Sequence, residues 1–194
     1  MARNKEFDTT QVLHKAMEIF GHYGYEGTSL QILLDGLGIA RQSLYDTYGT
    51  KRELFIRAVN HYVNEKSSAV VVYLQRHNSV KQAIASIFHE IVVTLKDEER
   101  RKECFILNSA IDQIPHDPEI ASLFKTDKLL LEKAFYDALV RAQHEGEVDK
   151  DKDLYALAQY LYHSRYALTQ VAKMSSDTTT LDNFAAFTLS ILEH

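Results

Sequence analysis

Arg41, Gln42 and Ser43 stand side by side at the start of a segment, Ala40 to about Tyr48, that reads as a short helix closed by Gly49. An arginine can take guanine bidentately and a glutamine can take adenine, provided that a helix N-terminus carries them into the major groove. Out of context the plain alternative for Arg41 is a solvated surface arginine, so the elements around it decide. Upstream, Thr28 and Gln31 form a T-x-x-Q capping box from which a helix can begin at about Ser29. Leu30, Leu33, Leu34 and Leu37 then fall on one helical face. Gly36 and Gly38 bracket Leu37 and are expected to end that helix in a tight turn. Downstream, Thr50 and Glu53 make a second capping box that opens a third helix. Two short helices around a glycine turn, the second beginning with Arg-Gln-Ser, is the pattern of a helix-turn-helix. Thr28 and Ser29 add hydroxyls and open N–H groups at a helix start, which suits a phosphate.

The same residues resemble a known family. Phe20, Gly24, Tyr25, Thr28, Ser29, Gly38-Ile39, Ser43-Leu44-Tyr45, Tyr48 and Lys51-Arg52-Glu53-Leu54 are similar, in register, to the amino-terminal signature of the TetR family of bacterial repressors. The match spans roughly the first quarter of the chain. It departs at Thr47, where the family usually carries a histidine beside the aromatic residue. The resemblance implies that Tyr45, Thr47, Tyr48 and Lys51 hold phosphates or pack the motif, with core packing the stronger reading for Tyr48. It further implies a homodimer on palindromic double-stranded operator DNA, released when a small-molecule effector favours a conformation whose recognition helices no longer match the half-site spacing. Arg3 and Lys5 read either as a minor-groove arm or as a plain tail.

Composition agrees with an all-α protein. Of 194 residues 45% are hydrophobic and 25% charged, and only 2 Pro and 7 Gly interrupt the chain. No run approaches the ~18 apolar residues of a membrane span, no signal peptide opens the chain, and the single cysteine suits a reducing compartment. The expectation is a cytoplasmic protein. The net charge is −5, yet residues 1–57 are neutral: Arg3, Lys5, Lys15, Arg41, Lys51, Arg52 and Arg57 balance Glu6, Asp8, Glu18, Glu26, Asp35, Asp46 and Glu53. The negative excess belongs to the remainder, so DNA would touch one end only.

Beyond the headpiece, helices are expected from Lys51 to about Leu74, Val80 to about Lys96, Cys104 to Ile114, Pro118 to Glu145, Lys152 to Met174 and Thr180 to Leu192. That makes about nine, the number the resemblance implies. Residues 1–50 form a DNA-binding headpiece and 51–194 an effector-binding and dimerisation domain. Leu154, Leu157, Leu161 and Leu168 make one stripe, accompanied on a second side by tyrosines, while Phe184 and Leu189 belong to a last helix apolar on two sides. Such helices are read here as half of a symmetric four-helix dimer interface, against the alternative of one central core. Leu192-Glu193-His194 has the order of a cloning remnant and is given no weight.

The effector side is less legible. Cys104 to Phe124 resembles a carboxy-terminal type found in one branch of TetR-like repressors. Tyr62, Phe88, Phe105, Tyr136, Tyr160, Tyr162 and Tyr166 are candidates for the walls of a ligand cavity, with ordinary core packing as the alternative. Cys104 follows Arg100, Arg101 and Lys102, and nearby cations lower a thiol pKa, so an electrophile- or redox-sensing repressor is the second reading. Burial beside Phe105-Ile106-Leu107 favours an inert thiol.

Enzymatic motifs fail on inspection. His89-Glu90 begins an H-E-x-x-H pair that Val93 does not complete, Gly21, Gly24 and Gly27 lack a phosphate-loop context, and no G-x-S-x-G elbow occurs. The 9 histidines show no i, i+4 pairing, so neither metal nor cofactor is expected. A helical protein-interaction module without DNA binding would share the amphipathic helices but would not need Arg41-Gln42-Ser43.

Overall fold

A computed structural model describes residues 8–175 and 177–193. The arm expected from Arg3 and Lys5 lies outside the described residues. Among the described residues the protein is all-helical: α1 (Thr9–Gly27), α2 (Leu30–Leu37), α3 (Arg41–Tyr48), α4 (Lys51–Arg76), α5 (Val80–Lys96), α6 (Arg101–Cys104), α7 (Ile106–Gln113), α8 (Pro118–His144), α9 (Leu154–Met174) and α10 (Thr179–Ser190). Nine of these have eight residues or more, and α6 is a single turn. The expected helix from Cys104 to Ile114 is divided, because the Phe105 N–H bonds back to the Lys102 carbonyl three residues earlier and starts a new turn.

The chain forms two compact units. The first holds residues up to Val63 together with Lys102–Ala121. It is larger than the 1–50 headpiece expected from the sequence. The reason is visible at Gly21, where an added Cβ would stand 2.7 Å from the Lys102 carbonyl oxygen and 3.0 Å from the Ile106 nitrogen. Only glycine lets α1 lie against the start of α7 at this distance, and the Ser109 hydroxyl donates to the Phe20 carbonyl at 2.7 Å beside it. Phe20 and Phe55 meet edge to face at 4.9 Å and Tyr25 covers Phe55 at 4.8 Å, forming the aromatic centre of the unit.

Local chemistry ends each short helix. Asp8 caps α1 by accepting from the Thr10 N–H, and α1 breaks at Gly24, where φ is 75°. The cap of α2 is Ser29, whose hydroxyl accepts from the Ile32 N–H, rather than the expected Thr28–Gln31 box. Gln31 instead donates to Asp35 one turn on. Of the two glycines around Leu37, only Gly38 turns left-handed, with φ 66°. Gly36 remains helical and makes room for Ile19, whose Cδ1 would lie 2.6 Å from an added Cβ. The Thr50–Glu53 box is reciprocal, as expected: Glu53 accepts from the Thr50 N–H at 2.7 Å, and the Thr50 hydroxyl accepts from the Glu53 N–H at 3.3 Å.

The second unit holds Asn64–Arg101 and the chain from Ser122 onwards. There α5, α9 and α10 pack on one another, with Ile84, Phe88, Leu95, Leu161 and Leu168 in the core. The loop after α8 turns at Gly146 and sends Glu147 to the start of α5, where its carboxylate accepts from Ser79 Oγ and from the Val80 and Lys81 N–H groups. Arg141 closes the end of α4 by donating to the Leu74 and His77 carbonyls.

This packing corrects part of the dimer assignment. Leu154, Leu157, Leu161 and Leu168 are buried within their own chain and so stabilise the unit rather than present a face, while Phe184 and Leu189 are half-buried. Among the described residues the large exposed apolar groups of α9 and α10 are Tyr155, 59% exposed, Met174, 85% exposed at the end of α9, and Phe187, 77% exposed. Leu192 is buried, and its N–H bonds to the Leu189 carbonyl, so it belongs to the fold.

Candidate nucleic-acid interface

Helix α3 has two faces with different work. Leu44 and Tyr48 are sealed in the first unit, and the Tyr48 hydroxyl donates to the Thr9 carbonyl at 3.0 Å. Tyr48 thus anchors α3 to the start of α1 and is withdrawn as a DNA contact; burial also pushes its phenol pKa up. On the outer face Arg41, Gln42, Tyr45 and Asp46 are exposed, while Ser43 and Thr47 are half-buried. The Arg41 guanidinium lies 5.7 Å from the centre of the Tyr45 ring, and Gln42 Nε2 donates to Asp46 at 2.7 Å. Both long side chains are therefore steadied by a residue one turn further along α3. The Ala40 start of α3 carries no side-chain cap.

Two more sequence assignments change role. Thr28 has none of its surface exposed, and its hydroxyl donates to the Gly24 carbonyl at 2.6 Å. It secures the bend in α1 and is no phosphate seat, whereas Ser29 remains exposed at the head of α2. Lys51 also turns inward. Its ammonium donates to the Tyr25 and Thr28 carbonyls, each at 2.9 Å, and sits 4.4 Å from the Tyr25 ring centre. This clamp fixes the link between α1 and α2 from the first residue of α4, so the ammonium is committed to protein.

Sequence reasoning missed three supports in the same unit. Arg57 donates to the Thr47 carbonyl at 3.0 Å, holding the end of α3. Arg52 forms a fork with Asp117, at 2.6 and 2.9 Å, and reaches Glu119 at 3.2 Å. The hydrogen bond from Arg52 holds the Asp117 carboxyl below the usual carboxylate range. Tyr25 is the third support, platform for Lys51 and Phe55, its phenol pushed up by burial. Each joins residues at least 10 apart in sequence, so no local pattern announces them.

The effector candidates are scattered. Within the first unit Tyr62 and Cys104 are buried and Phe105 is half-buried. Burial of the Cys104 side chain works against a reactive thiolate. In the second unit Phe88 is core and Tyr136, 40% exposed, stands open on α8 and is not a cavity wall. Tyr162 and Tyr166 do come together, at 5.2 Å between ring centres, with Phe124 5.8 Å from Tyr166. They surround Asp127, which is buried and accepts from the Ser67 hydroxyl and, at 2.5 Å, from the Tyr166 hydroxyl. Burial first, and then the Asp127 charge, push the Tyr166 phenol far up. Arg165 lies between these tyrosines on α9, with Nε and Nη1 enclosed and no acceptor among the described residues.

With this geometry in view, the comparisons are decisive. Residues 12–58 match the family described as bacterial regulatory proteins, tetR family. The HTH-type transcriptional regulator YezE of Bacillus subtilis (strain 168) is 56% identical over 194 residues, covering 100% of both chains. The chain belongs to the TetR family. The HTH-type transcriptional repressor ComR of Escherichia coli (strain K12) is 27% identical over 190 residues, 97% of this chain and 90% of that one. Among solved structures, a cysteine mutant of the TetR family regulator CifR in complex with 26-bp double-strand operator DNA matches with a TM-score of 0.82. It is 24% identical and covers 96% of this chain and 98% of its own. Reduced NemR of E. coli matches with a TM-score of 0.78 and 14% identity, over 92% of this chain and 93% of its own. The TetR-type helix-turn-helix here is α2 with α3, and the protein is a DNA-binding transcriptional regulator, not an enzyme. No described helix is long and apolar enough to cross a membrane.

Proposed function

We propose that this protein is a homodimeric repressor in the cytoplasm that seats α3 in the major groove of a palindromic operator and leaves it when a small molecule binds the second unit. The observation that carries the reading is the division of α3: Leu44 and Tyr48 lock its inner face, and Arg41, Gln42 and Tyr45 are left outward. Arg41 reads guanine, Gln42 reads adenine, and Ser43, Tyr45, Thr47 and Ser29 lie where phosphate contacts would fix the register. The likeness to CifR on its operator duplex supports the docking mode. Tyr155 and Phe187 support a dimer through the outer faces of α9 and α10. For release, the Tyr162–Tyr166–Asp127 cluster with Arg165 offers aromatic walls and polar tips suited to a small ligand. The buried state of Cys104 favours such reversible binding over electrophile sensing. Fluorescence anisotropy with the duplex upstream of the protein's own gene tests the reading. Sequence-specific binding that Arg41→Ala weakens and makes less selective is the expected result, and equal affinity of the wild type for scrambled duplexes would overturn it.

A further inference from the structure

In the sequence the histidines are scattered, but the fold brings two of them together in the first unit. His14 on α1 and His61 on α4 meet with ring centres 5.5 Å apart and planes at 87°, and each offers a ligand nitrogen within 4.8 Å of the other's. Two nitrogens on one zinc-like ion stand about 3.3 Å apart, given metal–nitrogen bonds of about 2.0–2.1 Å in tetrahedral geometry. A modest side-chain rotation closes that difference. The second observation is Glu103 on α6, whose Oε1 lies 2.9 Å from His14 Nδ1. A carboxylate on the far nitrogen sets the tautomer, orients the ring and leaves His14 Nε2 as the coordinating atom; metal-binding histidines are oriented in this way. Helix α4 also carries Glu65 one turn beyond His61, on the same face, with an oxygen 3.2 Å from Lys66 Nζ. The side chains of His14 and Glu103 are 35% and 27% exposed, which leaves an entry path from solvent.

We infer that His14 and His61 bind a divalent transition-metal ion, with Glu103 as the residue that positions His14. Two imidazoles select zinc, nickel or copper over magnesium and calcium, which prefer oxygen donors. A site with so few protein ligands keeps coordination positions for water and exchanges its ion readily. Its location gives it a second consequence. The ion ties α1 to α4, and these two helices hold the reading head: the Tyr48 hydroxyl bonds to Thr9 at the start of α1, and Lys51 at the start of α4 clamps the bend after α1. Occupancy therefore changes operator affinity, a regulatory arm that rests on the function proposed above.

Calorimetric titration of the full-length protein with zinc and nickel chlorides tests the site. One ion per chain is expected, at least tenfold weaker in His14→Ala and in His61→Ala, and about tenfold weaker in Glu103→Gln. Magnesium chloride should give no heat. Zinc should raise the melting temperature of the wild type and leave that of His14→Ala unmoved. His14→Gln, a milder change at a partly exposed position, replaces His14→Ala if circular dichroism shows the latter unfolded. Absent saturable binding, or an isotherm unchanged by both histidine variants, would reduce the cluster to a His14–Glu103 hydrogen bond and overturn the inference. Anisotropy on the upstream duplex with and without zinc then separates the two readings. Zinc bound through both histidines by a protein that binds no DNA sustains the metal site and sinks the regulator reading. Specific DNA binding with a flat zinc titration does the reverse.

Discussion

Replacing Lys51 with Met separates two roles that one lysine could play in a DNA-binding headpiece. The structure commits its ammonium to the Tyr25 and Thr28 carbonyls at 2.9 Å and to the Tyr25 ring at 4.4 Å. Methionine keeps an apolar stem and deletes all three interactions. Charge-assisted hydrogen bonds are worth about 1.5–3 kcal/mol each when buried. Lys51 is half-buried, so solvent takes back much of this, and the Tyr25 carbonyl keeps the Thr28 N–H as a partner. About 2–3 kcal/mol remains once the cation–π contribution of about 0.5–1 kcal/mol is included. For a chain of this size that is a fall in melting temperature of about 4–12 °C. Operator affinity should drop uniformly, because the head loses its fixed geometry, while the slope of log K against log salt stays put. A lysine on phosphate behaves in the opposite way, contributing about 0.9 to that slope and little to melting. Thermal melts and anisotropy between about 50 and 200 mM salt read both quantities. A melting temperature within a degree of wild type, joined to a slope reduced by about one, would refute the clamp.

Other expected outcomes follow from the same contacts. Arg41→Ala or Gln42→Ala should cost about 1–3 kcal/mol on the preferred operator and relax its sequence preference, measured against scrambled duplexes. Tyr48→Phe loses the bond to Thr9 and should lower stability by about 1 kcal/mol in denaturant melts, with the salt slope of DNA binding unchanged. Phe187→Asp should yield folded monomer by light scattering, whereas Leu161→Glu should unfold the protein, because the first side chain is exposed and the second sealed. Asp117 is held below its ordinary pKa by Arg52, so its contribution is fully present above the unfolded value of about 3.9 and is lost as pH falls through the folded one; acid melts of Asp117→Asn should be flatter than wild type in that range.

The reading head was legible because its punctuation is local. Gly38, Gly49 and the Thr50–Glu53 box each act within four residues, and periodicity alone put Leu33 and Leu37 on the face that is buried. Where local chemistry was ambiguous, the reading slipped. Thr28 and Ser29 are both competent caps, and the choice fell to Ser29 because the Gly24 carbonyl, freed by the break in α1, takes the Thr28 hydroxyl. The Lys51 clamp and the Arg52 fork join residues 23 to 67 apart, and no spacing rule reaches so far. The leucine stripe of α9 shows the limit of amphipathicity. Its period said correctly that the face is buried, but not whether the cover is the same chain or a second copy; α5 and α10 supply it.

Lys51 and Tyr48 are strong matches to the family signature, yet in the structure each builds the reading head instead of reading with it. A signature records every residue that the head requires, and most of those requirements are geometric. The residues free to specify an operator are few: Arg41, Gln42 and Tyr45 are outward, and even Gln42 is held by Asp46. That bond uses one amide hydrogen and leaves the other, with the carbonyl oxygen, for an adenine edge. In the docking proposed above, Asp46 would fix the rotamer with which Gln42 enters the groove, at the cost of a negative charge on the DNA-facing side of α3. Asp46→Ala should accordingly raise affinity for all duplexes while narrowing the gap between operator and scrambled DNA. A gap that stays the same would mean that Gln42 reads its base without help from Asp46.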